Sequence, residues 1–263
     1  MTTVAKAPQS GGAFVPGEWE LRVELAACYR IFAMRGWTEM IFNHITMRVP
    51  GPEHHFLINP FGLHYSEVCA SNLVKIDLDG KIVGESDFPV NPAGFVIHSA
   101  IHAAVPDALC IIHTHTTAGM AVASSKRGMW PSNFYAAQAI DEIAYHDFEG
   151  PSVHDDEKAR LVADLGGKRM MILRNHGLLV HGKSIAEAFV IHNRLNRACE
   201  VAVAQSSIDD GLIVPRLVID SFELAERQTN TTLETAMLPH THYRRTFDAM
   251  IRLLDREDTS YKL

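Results

Sequence analysis

Apolar positions recur every three to four residues between Glu18 and Arg35, where Leu21, Leu25, Cys28 and Phe32 share one face and Gly36 stands just past the end. That period predicts an amphipathic helix closed by a glycine cap. Beyond it the pattern changes: Met40 to Val49 and Glu53 to Asn59 are rich in β-formers and are separated by Pro50, Gly51 and Pro52, which predicts two short paired strands. Leu73 to Asp77 and Lys81 to Val83 flank Asp79-Gly80, a dipeptide suited to a type I′ turn and so to a tight hairpin. Asn91 places a capping side chain ahead of Pro92, and the apolar stretch that follows ends at Pro106. A helix over about 92–104 is predicted there.

Ala108 to Ile112 is a compact apolar run, read as a strand that leads into His113-Thr114-His115, and Thr116 to Ser125 then reads as helix. A further helix is expected over Asp155 to Leu165, closed by Gly166-Gly167, with the strand Met170 to Arg174 directly after it. That strand breaks at Asn175-His176-Gly177, resumes from Leu178 to His181 and turns at Gly182 into Ser184-Ile185-Ala186-Glu187. The last four residues form a capping box and open a long helix to about Gln205, with His192 on its apolar face. Two more helices are expected over about 218–230 and 240–255. No repeat or long linker interrupts this order. The prediction is one α/β domain over residues 18–263, a mixed, mostly antiparallel central sheet with helices on both faces, preceded by a disordered lead-in over residues 1–17.

Composition changes this picture mainly by exclusion. The 263 residues are 47% apolar, enough for a sizeable core. A net charge of −7, with no cluster of Lys or Arg, argues against nucleic acid or an anionic membrane as partner. The first 16 residues lack the apolar run of a signal peptide or membrane span. The four cysteines are scattered, with no CxxC spacing, so they are expected to be reduced core residues of a cytoplasmic protein. There are 15 histidines, and each needs a structural reading beside any functional one.

Side chains at i and i+2 of a strand point the same way, so His113 and His115 offer two imidazoles to one side. Alone, the pair fits a shared divalent metal or two satisfied polar residues at a strand end. His176 ends a separate apolar strand and is followed by Gly177, which permits a tight turn or a close approach. Three imidazoles at strand ends outline an open catalytic metal site, in which a fourth position is left to water or substrate. Imidazole suits zinc, and also Fe(II) and Mn. His98 and His102 are i, i+4 on one helix face without a glutamate between them in an HExxH pattern, and read as structural.

The runs His113-Thr-His-Thr-Thr-Ala-Gly119, Arg174-Asn-His-Gly-Leu178 and Ala144-Tyr-His-Asp147 resemble the class II aldolase/adducin family over roughly residues 20 to 205. Phe42-Asn-His-Ile-Thr-Met-Arg48, Pro60-Phe-Gly-Leu63 and Asn91-Pro-Ala-Gly-Phe95 are similar to the adducin-head branch. The resemblance implies a tetramer of mixed α/β subunits with active sites between them, and a zinc ion on His113, His115 and His176. In sugar-phosphate aldolases of the family that ion polarises a substrate carbonyl. The resemblance also gives Tyr145 as a proton donor to a neighbouring subunit's metal, although a half-buried tyrosine after a strand is an equal reading. His44, with a hydrogen-bond donor directed at a substrate oxygen, and Asn59 and Gly62 in a phosphate-type loop are implied as substrate contacts.

The departures narrow the function. Where the aldolases carry an acid/base glutamate this chain has Gly94, and where they carry phosphate-binding serines it has Pro92 and Ala93. Glu142 is a candidate replacement acid, against a plain surface carboxylate. The leading expectation is a metal-dependent lyase acting on a small, unphosphorylated hydroxy or oxo acid or carbonyl compound. Two alternatives stand beside it: a non-haem Fe(II) oxygenase on the same fold, and a non-catalytic adducin-like oligomerisation domain.

Overall fold

The chain is described by a computed structural model that covers residues 14–150, 155–229 and 233–263. Of the expected lead-in, residues 1–13 lie outside the described residues, while Phe14 packs on Trp19 with ring centroids 5.5 Å apart. Helix α1, Glu18–Met34, ends as its period predicts. Gly36 N–H donates to Ala33 O at 3.0 Å and Trp37 N–H to Phe32 O at 2.9 Å, the paired bonds of a Schellman motif.

Among the described residues seven strands form one sheet. They are β1 His44–Arg48, β2 Phe56–Ile58, β3 Val74–Ile76, β4 Cys110–Thr114, β5 Ile143–His146, β6 Met170–Leu173 and β7 Gly177–Gly182, in the order β3-β2-β1-β4-β7-β6-β5. Every pairing is antiparallel except β5 with β6, which is parallel. The helix α5, Asp155–Leu165, connects those two strands, as a parallel pair requires a crossover. The expected mixed, mostly antiparallel sheet is therefore present.

Alternation along the strands sorts residues to two faces. One face carries Ile45, Met47, Cys110, Ile112, Met170, Ile172, Leu178 and Val180, and packs under α1, under α3 (Thr117–Ala123) and under the long helix α6 (Ile185–Ser206). The other carries Ile111, Ala144, Met171, Leu173 and Leu179 against α5 and against α2, Pro92–Ala104. By the same alternation His44, Thr46 and His113 face α2. The sheet's second face is thus apolar at one end and imidazole-rich at the other. Helices α7 (Arg216–Thr229) and α8 (Leu233–Glu257) complete the chain on the first face, where Phe247 is fully buried against Phe189.

Two local expectations are corrected. The strand expected from Met40 begins only at His44, because the chain turns at Met40, φ 44°, with Phe42 N–H donating to Glu39 O at 2.9 Å. Asp79-Gly80 does not make a type I′ hairpin: only Gly80 has positive φ, its N–H donates to Asp77 O at 3.1 Å, and the second strand is reduced to a bridge between Ile76 and Ile82. A type I turn followed by a left-handed glycine explains this geometry. Helix α4, Phe134–Ala139, and strand β5 had no periodic signal of useful length. The cysteines are free, and Cys28, Cys110 and Cys199 are buried as expected, whereas Cys69 is only half-buried and is not a core residue. Among the described residues no helix is long and apolar enough to cross a membrane.

Candidate metal centre

Strand β4 delivers His113 to the α2 side of the sheet, and His115 follows one residue past the strand's end. Thr114 between them points the other way and bonds His192 Nε2 at 2.8 Å. His115 is steadied from behind, its N–H donating to Asn43 Oδ1 at 3.1 Å. His176 arrives from the turn between β6 and β7. Asn175 there takes φ 55°, a left-handed conformation that asparagine tolerates, and His176 N–H closes the turn onto Leu173 O at 3.0 Å. The ring centroids of His113, His115 and His176 lie 4.7–5.0 Å apart, and one nitrogen of each falls within 4.8 Å of the others.

Gly177 makes this convergence sterically feasible. A Cβ at that position would lie 2.5 Å from Thr114 O and 3.0 Å from His115 Cδ2. Backbone cannot yield as a flexible side chain can. Gly177→Ala is therefore expected to cost about 3 kcal/mol in thermal or urea unfolding and to push the turn away from β4. A variant as stable as the parent would contradict this packing.

The donor set fits a divalent cation. His113 Nδ1 lies 2.9 Å from Leu178 O, and a carbonyl only accepts, so that nitrogen carries the proton. His115 Nδ1 faces the Glu39 carboxylate, which fixes its proton in the same way. In the neutral rings both Nε2 atoms are then bare lone pairs, and they sit 2.8 Å apart. Two lone pairs at that distance repel unless a cation is shared between them. Burial, then His176 and the other neighbouring imidazoles, hold His113 well below the usual histidine range, so that ring offers its lone pair. Burial and then His115 also lower His176, to about 4.

Carboxylate or carbonyl partners on the far nitrogen orient a metal-binding imidazole. Glu39→Gln is accordingly expected to weaken divalent-metal affinity by about 10–100-fold in competition against a chelator, with the fold intact. Unchanged affinity would contradict an outer-partner role for Glu39.

The imidazoles open onto a cavity of about 340 Å³ whose lining includes Glu39, Phe42, His44, Gly94 and Phe148, with no Lys or Arg among the described residues of its wall. Phe148 lies edge-on to His176 at 5.9 Å. The other sequence-derived candidates are placed elsewhere. Asn59 is tied to Tyr29, its N–H and Oδ1 each 3.1 Å from Tyr29 Oη, and neither it nor Gly62 lines the cavity. Tyr145 Oη accepts the Met129 N–H at 2.9 Å, with the Arg174 guanidinium 4.6 Å from its ring centroid, and does not reach the imidazoles of its own chain. Glu142 pairs with Arg169 Nε at 3.3 Å. His98 and His102 are buried behind His44, in keeping with their structural reading. Sequence reasoning missed Glu39, which lies 76 residues from its partner His115 and in no motif.

Fold and site together define a class: a single α/β domain with a mixed sheet and a three-imidazole centre at one end of it. The chain belongs to the family described as the class II aldolase and adducin N-terminal domain, whose model matches residues 23–203. It is similar to the solved structure of an aldolase II superfamily protein from Pseudomonas syringae, at 44% identity and a TM-score of 0.85, covering 95% of this chain and 97% of that one. The L-fuculose 1-phosphate aldolase of Glaciozyma antarctica matches at 26% identity and a TM-score of 0.77, over 95% and 96% of the two chains. Rattus norvegicus alpha-adducin is 50% identical over 194 residues, which are 73% of this chain but 26% of the adducin.

Proposed function

We propose that the chain is a metal-dependent lyase of the class II aldolase type. It acts on a small hydroxy or oxo acid or related carbonyl compound by C–C cleavage, decarboxylation or dehydration. The observation that carries this reading is the facing pair of Nε2 lone pairs on His113 and His115, with His176 beside them, at the floor of an open cavity. These three residues hold the ion; zinc suits them best, with Fe(II) or Mn as alternatives. When bound, the ion supplies Lewis-acid polarisation of a substrate oxygen.

The chain's own residues restrict what can bind. Among the described residues a phosphate group would meet no Lys or Arg on the cavity wall, and charge-assisted donors are what phosphate recognition uses. This supports an unphosphorylated substrate. Phe42, Ile97 and Phe148 give the cavity apolar sides. Tyr145, whose hydroxyl oxygen is already occupied as an acceptor from Met129 N–H, retains a proton to give, and in a homotetramer it would give it to a neighbour's site.

The test is metal analysis of the purified protein, followed by a panel of short hydroxy and oxo acids assayed with and without oxygen. Oxygen-independent, metal-dependent bond cleavage supports the lyase. Turnover that needs both Fe(II) and oxygen would replace it with an oxygenase. The 50% identity to alpha-adducin over 194 residues favours a second reading, a non-catalytic oligomerisation or binding domain; a metal-free, well-folded and inactive protein would select it.

A further inference from the structure

Behind the metal ligands, four buried side chains stand in single file from a backbone carbonyl to the cavity wall. His102 Nδ1 lies 2.8 Å from Ala108 O; the carbonyl can only accept, so Nδ1 carries the proton. Burial holds His102 neutral, lowering it to about 3, so its Nε2 is a lone pair. It therefore accepts from the Thr46 hydroxyl, 2.8 Å away. Having donated its one proton, Thr46 Oγ1 accepts from His98 Nδ1 at 2.7 Å. His98, held neutral chiefly by burial, then has a bare Nε2, which accepts from His44 Nδ1 at 3.0 Å. Each member has one donor and one acceptor to place, so the anchor at Ala108 sets them all. His44 is left with its proton on Nδ1 and a lone pair on Nε2.

That lone pair belongs to the cavity. His44 lines it beside the three metal ligands but is not one of the residues whose nitrogens converge. Its ring fills the space that a side chain at position 94 would need: a Cβ on Gly94 would lie 2.4 Å from His44 Cδ2 and 2.5 Å from Nε2. The far end of the file is a peptide carbonyl, which does not take up a proton at ordinary pH. The file therefore fixes a tautomer and does not conduct protons away.

We propose that this relay makes His44 a specificity-determining hydrogen-bond acceptor, whose Nε2 accepts a hydrogen bond from a substrate hydroxyl in the cavity. This reverses the donor role that the resemblance assigns to His44. The relay stands on geometry alone, whereas the hydroxyl-bearing ligand rests on the hydroxy-acid reading above. A site built to bond a hydroxyl rejects the analogue lacking it, because a buried polar group is then left unpaired.

Nitrogen-15 NMR of histidine-labelled protein distinguishes the two neutral tautomers. Wild type is expected to show His44 protonated at Nδ1, and Thr46→Val, which breaks the file with little change in shape, is expected to mix the tautomers. On zinc-loaded protein, glycolate should bind roughly 10–100-fold more tightly than acetate, and lactate than propionate, in wild type. That preference should vanish in Thr46→Val. Gly94→Ala, which displaces the His44 imidazole and leaves Thr46, His98 and His102 in place, should abolish it as well and serves if Thr46→Val does not fold. His44 protonated at Nε2 in wild type overturns the relay, and equal affinity within each pair overturns the acceptor role. Should no pair bind while the tautomer is as described, the hydroxy-acid ligand is wrong and the relay stands.

Discussion

His113→Ala is expected to reduce bound metal from about one ion per chain to a trace, because a three-ligand site becomes a two-ligand one and its cavity wall opens. The loss should exceed the roughly 10–100-fold expected from removing an outer partner such as Glu39. His113 is also the most deeply set of the three imidazoles, 1% exposed and bonded to Leu178 O across the β4 and β7 ladder. The alanine variant should keep the native circular dichroism spectrum and lose the rise in melting temperature that added zinc gives the parent. Metal analysis after gel filtration reads the first effect and a thermal scan the second. Full metal content in the variant would remove His113 from the site.

The second large effect concerns acid. His44, His98, His102 and His192 are each at most 4% exposed. Burial is the largest cause holding all four down, to about 3 for His44, His102 and His192 and well below the usual value for His98. The sign follows from proton counting. Below about pH 6.5 the unfolded chain takes up protons on these rings and the native chain does not, so stability falls as pH falls. It continues to fall until the low native values are reached.

Each ring contributes about 1.4 kcal/mol per pH unit in that window, so four contribute about 6 kcal/mol over one unit. A typical domain has only about 5–15 kcal/mol in total. Urea unfolding in the presence of chelator should therefore show a steep loss of stability between about pH 6.5 and 5, with uptake of several protons per molecule unfolded. Flat stability across that range would show that the rings titrate in the native state.

Much of the site was legible because its ligands sit in short motifs with a local cause. The i, i+2 spacing of His113 and His115 becomes a shared face, and Gly177 next to His176 becomes the close approach to Thr114 O. The Glu18 helix ends at a glycine cap that acts over a few residues. What the chain does not announce is set by distant contacts. Glu39 meets His115 only because Met40 turns with positive φ, and no periodicity marks that turn. Thr46 reads as an ordinary β-branched strand residue until α2 brings His98 and His102 over it. The parallel pairing of β5 depends on a crossover, and the four residues of β5 carry too little alternation to reveal it. Gly94 is noticed in the sequence only through the resemblance; the packing shows that His44 occupies the space a side chain there would need.

Crystals grown with zinc and measured above and below its absorption edge test the metal centre most directly. A single anomalous peak per chain is predicted at the point where the nitrogens of His113, His115 and His176 converge, with Glu39 still against His115 Nδ1 and an open position facing the cavity. Fully occupied zinc bound elsewhere, with the three imidazoles bare or bridged by water alone, would contradict it.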